Sequence, residues 1–261
     1  MLIIQKGRDL RIITVVCCFT FFCFNTSISL AAKELDAREI VSKVEKKLWS
    51  NTSQGRYEMT ITTAYWKRTL KMKVWMQRPE KSFIRILSPA KEAGVGSLRV
   101  RDEMWNYLPK VERTVKVPPS MMLQAWMGSD FTNDDLVKES SMIDDYTHEL
   151  IADEKIKSEP VYQVKSVPKP NAAVVWGKLI YHVRKSDLMP LSFDYYDERG
   201  RLIKSLIFSD VREMDGRQLP NRWEMRSTDK PENSTVIRLS EIKFDRSIEA
   251  NIFTLRNLRG R

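Results

Sequence analysis

The feature that most constrains this chain is a two-residue alternation of apolar and polar side chains that returns about every ten residues. Tyr57, Met59 and Ile61 alternate with Glu58, Thr60 and Thr62. Leu70, Met72, Val74 and Met76 alternate with Lys71, Lys73 and, out of pattern, Trp75; Ile84 and Ile86 flank Arg85. Such alternation makes a half-buried antiparallel strand with one wet face. The same pattern predicts strands at Leu98–Arg101, Met104–Leu108, Arg113–Val117, Tyr146–Ile151, Val161–Val167, Lys178–Lys185, Leu191–Tyr196, Leu202–Phe208, Asn221–Ser227 and Thr235–Phe244. Turn signals separate them: Asp197-Glu198-Arg199-Gly200 and Asp215-Gly216 read as hairpins, and Pro79, Pro89, Pro190 and Pro231 mark boundaries. One longer helix is predicted, from an Asp36 N-cap with Glu39 three residues on, through Ile40, Val41, Val44 and Leu48 to Trp49. With no linker, repeat or shift in composition, the chain is expected to be a single mainly β domain with few helices.

The first 32 residues stand apart. Lys6, Arg8 and Arg11 precede an apolar run, Ile12 to Phe24, and small residues follow at Ser29, Ala31 and Ala32. That order predicts a signal peptide over 1–32 and an exported domain over 33–261. The run is too short for a confident membrane span. The segment holds three of the 44 basic and one of the 34 acidic residues, so the remainder carries 41 against 33, about +8 rather than +10. It also holds Cys17, Cys18 and Cys23, the three cysteines of the chain. An exported domain without cysteine has no disulfide, no Cys-ligated zinc, no iron–sulfur cluster and no thiol nucleophile.

Other catalytic signatures are scarce. His148 and His182 fit no metal-ligand spacing, and there is neither a nucleophile elbow nor a phosphate-binding glycine loop. Asp134 and Asp135 could in principle do acid–base work as a hydrolase pair, but acids at a helix start are explained equally well by the helix dipole. No cofactor and no metal are expected. The basic residues are spread over the wet faces of strands rather than run together, which suits an anionic membrane surface better than nucleic acid.

The informative excess is elsewhere. Seven tryptophans and twelve methionines are many for a polar, strand-rich chain. After Pro118-Pro119, the dense segment Met121, Met122, Leu123, Trp126 and Met127 has too few polar residues to lie in water. With Ser120 as N-cap and Gly128 as C-cap, it is predicted to be a short helix, and a second short helix is predicted from near Asn133. The segment reads as a lid over an apolar cavity, because methionine suits surfaces that fit ligands of variable shape. An antiparallel sheet curved around such a lid gives a half-open β-barrel. Met59, Ile61, Met72, Met76, Ile84 and Ile86 are expected to line the concave side, with Trp105 and Tyr107 as further lining candidates of ambiguous parity. Met121, Met122, Trp126, Met127 and Phe131 are expected to form the lid. Trp75 is expected under the N-terminal helix.

The stretch Met127-Gly128-Ser129-Asp130-Phe131-Thr132-Asn133-Asp134-Asp135-Leu136 is similar to one found in the outer-membrane lipoprotein-sorting family, the LolA-like exported carriers. Trp105-Asn106-Tyr107-Leu108-Pro109, Tyr195-Tyr196-Asp197-Glu198-Arg199-Gly200-Arg201 and Gln218-Leu219-Pro220 support the resemblance, which spans about Asp36 to Leu258. It implies an incomplete β-barrel closed by short helices around a hydrophobic cavity. The function it implies is periplasmic carriage of lipids or the acyl chains of lipoproteins, beside an RND-type membrane transporter. A non-enzymatic adaptor module of a membrane transporter is the alternative.

Overall fold

The alternation becomes thirteen strands of one antiparallel sheet. The computed structural model describes residues 35–138, 142–156, 158–170, 172 and 174–260; the predicted signal peptide lies outside the described residues. Helix α1 (Ala37–Trp49) comes first, followed by β1 (Thr52–Thr62), β2 (Lys67–Gln77), β3 (Lys81–Ser88), β4 (Gly96–Val100), β5 (Glu103–Leu108) and β6 (Arg113–Lys116). Two short helices, α2 (Asn133–Lys138) and α3 (Met142–Asp145), precede β7 (Tyr146–Ile156), β8 (Glu159–Pro168), β9 (Lys178–Arg184), β10 (Pro190–Tyr196), β11 (Leu202–Met214), β12 (Arg217–Ser227) and β13 (Ser234–Phe244). A last short helix, α4 (Leu255–Leu258), ends the fold.

The order across the sheet is β6-β5-β4-β3-β2-β1-β13-β12-β11-β10-β9-β8-β7. Two meanders thus run outward from a central seam where β1 pairs with β13, from Ser53 opposite Phe244 to Thr62 opposite Ser234. Gly55 sits in this seam because nothing larger fits: a Cβ there would lie 2.3 Å from the Glu241 carbonyl oxygen. The edges, β6 and β7, do not pair with one another, so the sheet is not closed into a barrel.

The sheet nevertheless curls. β7 and β12 are five strands apart, about 24 Å along a flat sheet, yet α1 touches both. Asp36 caps this helix as its sequence predicts, accepting from the Glu39 amide at 2.7 Å. Ile40, Val41, Val44 and Leu48 are fully buried on the inner face of the sheet, against Val164, Tyr181, Phe193, Phe208 and Phe244. Each such side chain contributes about 1.5–3 kcal/mol on leaving water.

The other half of the inner face, over β1 to β5, is covered by the segment from Val117 to Leu136. The outer face of β3 to β5 has its own cover. Phe83 and Leu98 pack there with Phe253 and Leu258, and Trp75, Trp105 and Tyr107 lie against them. Trp75 therefore does not sit under α1; it stacks on Phe83 with ring centroids 5.3 Å apart. The cross-strand register explains this, since Trp75, Phe83, Leu98 and Trp105 are successive partners in one row. Arg85 fastens the cover, donating to the Gly94 carbonyl at 2.9 Å and the Asn257 carbonyl at 2.5 Å.

Candidate functional site

Where β1, β2 and β3 face the covering segment, an apolar cavity of about 70 Å³ remains. Its wall is Met59 on β1, Met72, Val74 and Met76 on β2, and Ile84 on β3, continued by Trp223 and Ile237 across the seam. Trp49 and Tyr57 close one side, and Trp126, Phe131 and Leu136 supply the cover. Of the inward set predicted from alternation, Met59, Met72, Met76 and Ile84 line the cavity, and Ile61 and Ile86 are buried in the same cluster without lining it. Trp105 and Tyr107 do not line it. They face outward under the C-terminal cover, because Met104 takes the inner side of β5.

The cover is not the helix its capping signals predict. Pro119–Met121 and Trp126–Gly128 are single 3-10 turns, and the chain between them is irregular. Met127 has φ +54°, which breaks any helix at that point. The segment instead folds back on itself: the Trp126 amide donates to the Phe131 carbonyl at 2.7 Å, and Ala125 bridges Thr132. Asn133 reaches back from α2 and donates from Nδ2 to the Met121 carbonyl at 3.0 Å. Met121 is 41% exposed and Leu123 56%, so neither lines the cavity. Met122 and Met127 are half-buried against the inner cluster, and Trp126 is buried within it. Only alternate parts of the segment face inward, and the Met121 expectation fails for that reason.

Polar contacts at scattered points hold the cover down. Trp126 Nε1 donates to Ser97 Oγ at 3.0 Å, and Ser97 in turn donates to Asn106 Oδ1 at 2.6 Å. Arg68 at the start of β2 donates to the Met127 carbonyl and to Glu92 Oε1. Thr235 Oγ1 donates to Asp130 Oδ2 at 2.7 Å, and burial pushes the Asp130 carboxyl above its ordinary range. Asp135 Oδ2 accepts from the Thr132 amide at 2.6 Å and from Lys204 Nζ at 2.5 Å. A second, smaller cavity of about 20 Å³ lies beyond Phe131, which lines both.

A family model with the description "-like: Uncharacterized protein" matches residues 78–260. The chain belongs to that family, and its fold is LolA-like. A DUF1329 family protein from Desulfovibrio piger superposes with a TM-score of 0.77 at 23% identity, over 85% of this chain and 97% of that one. An outer membrane lipoprotein-sorting protein domain from Vibrio parahaemolyticus gives 0.74 at 23% identity, over 85% and 98%. A LolA superfamily protein from Nitrosomonas europaea gives 0.74 at 21% identity, over 86% and 100%. Among curated proteins, none matches.

On this LolA-like sheet the titratable residues singled out earlier are spoken for. Asp135 is held by Lys204, so the Asp134–Asp135 pair is not a free acid–base couple. His148 pairs through Nδ1 with Ser166 Oγ at 2.7 Å, and burial pushes its pKa down. His182 meets both Ser192 Oγ, at 3.0 Å, and Asp194 Oδ2, at 3.7 Å, through the same Nδ1. A Ser-His-Asp relay needs the two partners on different ring nitrogens, so this trio is no relay. Among the described residues, no His, Cys, Asp and Glu cluster could hold a metal, and no helix is long and apolar enough to cross a membrane.

Sequence reasoning missed Trp49, Tyr57, Val74, Leu136, Trp223 and Ile237 as lining residues. Val74 and Tyr57 share the parity of the methionines beside them, and Trp223 shares that of Met225; the signal was present in the same alternation. It also missed Lys204, which lies on the apolar parity of its strand with Leu202, Leu206 and Phe208. A lysine on that face of a strand predicts a buried cation.

Proposed function

We propose that the protein is a non-enzymatic periplasmic carrier. It holds the apolar tail of a lipid, or of an acylated lipoprotein, between the inner sheet face and the Val117–Leu136 cover on its way toward the outer membrane. One observation carries this reading: a methionine-rich apolar cavity is closed by an irregular segment, fastened at separate polar points rather than packed as a continuous helix. Methionine walls accept tails of different shape. A segment held by individual hydrogen bonds, each worth about 1 kcal/mol net, can be released in parts.

The size of the cavity supports a moving cover. A water-sized group needs about 10–15 Å³ by this measure, so 70 Å³ seats about five to seven methylene-sized groups. A tail of about a dozen methylenes, worth about 10 kcal/mol against water, fits when Trp126 and Phe131 move outward. Transfer from a bilayer into such a site is nearly neutral, and release stays possible.

The exchange partners proposed are an anionic membrane surface and an RND-type membrane transporter. The β1–β2 turn supports the first. Tyr65 is 95% exposed, Trp66 is exposed beside it, and the exposed Lys67 follows. Aromatic rings beside a base suit the headgroup layer. Native purification, solvent extraction and lipid mass spectrometry test the carrier reading. Co-purifying lipid and uptake of a fluorescent fatty acid are expected; absence of both overturns it.

A further inference from the structure

The carrier reading leaves the strongest electrostatic feature of the interior without a role. Lys204, on β11, is 2% exposed and is the only lysine or arginine among the described residues that is fully buried. Its ammonium meets Asp135 Oδ2 at 2.5 Å and lies 4.9 Å from the Trp176 ring and 5.3 Å from the Tyr195 ring. The smaller cavity is bounded by Asp135, Trp176 and Tyr195 together with Phe131, Leu206 and Met225, so the charge pair stands at the edge of apolar space.

The distribution of charge between the two sides is uneven. The buried acids here, Asp134 and Asp135, and the half-buried Asp130 all belong to the cover. The base belongs to the sheet. A buried ion pair is poor stabilisation compared with apolar side chains of the same volume, so stability alone does not account for it. If the cover moves out as far as Leu136, all three carboxylates leave the wall, which keeps a single cation flanked by two aromatic faces. That cation would then be uncompensated in an apolar site, a state costly enough to demand a new anion.

The geometry points to Lys204 as the headgroup site of the carrier. Asp135 occupies it in the closed state, and the carboxylate or phosphate head of an anionic amphiphile occupies it in the loaded state. The inference rests on the carrier reading and deepens it: the tail lies along the methionine wall, and the charged head replaces the Asp135 carboxylate. The exchange is one anion for another on the same ammonium, so no proton need move. The cover then stays displaced outward over the bound tail.

The test compares laurate with dodecanol, two amphiphiles of equal tail length, on delipidated full-length protein at pH 8. Affinities are read by displacement of a neutral fluorescent probe. Wild type is expected to bind laurate about tenfold more tightly than dodecanol, the scale of one charge-assisted hydrogen bond. Asp135→Asn, which removes the internal competitor, should widen that ratio. The double variant Lys204→Met with Asp135→Asn leaves no buried charge, so it should fold, and it should bind both amphiphiles within about twofold of each other. Circular dichroism checks that fold. Inorganic phosphate alone should displace nothing, because the tail supplies most of the affinity; displacement by phosphate would overturn the amphiphile assignment in favour of a small-anion site. Dodecanol binding without a laurate preference, or a preference that survives in the double variant, overturns the role of Lys204 and leaves the carrier reading standing. Binding of neither amphiphile overturns both.

Discussion

Replacing Trp126 by alanine distinguishes a movable cover from ordinary core. The indole is 4% exposed, packs in the inner cluster and donates from Nε1 to Ser97 Oγ at 3.0 Å. Removing a buried tryptophan costs about 3–5 kcal/mol where the surroundings do not collapse. In ordinary core that loss falls on global unfolding. A domain of this size loses about 2–4 °C of Tm per kcal/mol, so the melting temperature would fall by about 6–20 °C. In a cover that opens by itself, the same free energy is subtracted from the opening step. Local opening of 119–136 then becomes about 10²- to 4 × 10³-fold more frequent, while the sheet melts within about 6 °C of wild type. Hydrogen exchange read peptide by peptide, beside calorimetry, separates the two cases. The expected result is fast exchange confined to the peptides covering 119–136. A large fall in Tm, with those peptides still exchanging at the global rate, would refute the reasoning.

Three further outcomes follow from other parts of the molecule. Gly55→Ala drives a Cβ into the Glu241 carbonyl across the seam; a loss of about 2 kcal/mol, roughly 4–8 °C in a thermal melt, is expected. Hydrogen bonds from Arg184 to Asp187, from Arg212 to Asp210 and from Ser50 to Asp245 hold these carboxyls below their ordinary values. Their contribution is complete above the unfolded value of about 3.9 and is lost as pH falls through the lower folded values. Acid melts followed by circular dichroism should show that decline, and Asp187→Asn should flatten part of it. Replacing Tyr65 and Trp66 together by serine should weaken sedimentation with vesicles rich in phosphatidylglycerol by about tenfold and leave Tm unchanged. Equal sedimentation would move membrane contact away from the β1–β2 turn.

The sheet was legible because period-two alternation is a direct record of which side chains leave water. Each of the thirteen predicted strands has a counterpart, and α1 begins at its predicted cap. What alternation does not record is what covers each face. A wet outer face would put Trp75 under α1 and leave the parity of Trp105 ambiguous, whereas the C-terminal segment makes that face a second apolar layer that takes both. The Met121–Met127 helix failed for a different reason. Ser120 and Gly128 are good capping types, and Gly128 does take a positive φ of 71°. The backbone bonds between them, however, go to Phe131 and Thr132 rather than along a helix. Those partners are fixed by tertiary packing, and a window of local propensity does not contain them. Lys204 is the opposite case: its position was readable from parity, but its meaning needed Asp135, 69 residues away in the chain.

The seam between β1 and β13 decides when this fold can come into being. Ser50 and Asp245 are bonded at its end although 195 residues separate them. β1 is made first among the strands and β13 last, so the middle of the sheet is the final piece to be synthesised. Until then the early meander lacks a neighbour along its central edge, and neither half can complete its inner wall. The same delay leaves the edge of β1 open to wrong pairing, so the unfolded chain would gain from a chaperone that shields that edge. A truncation before Ser234 removes the one strand that pairs with both meanders, β1 on one side and β12 on the other.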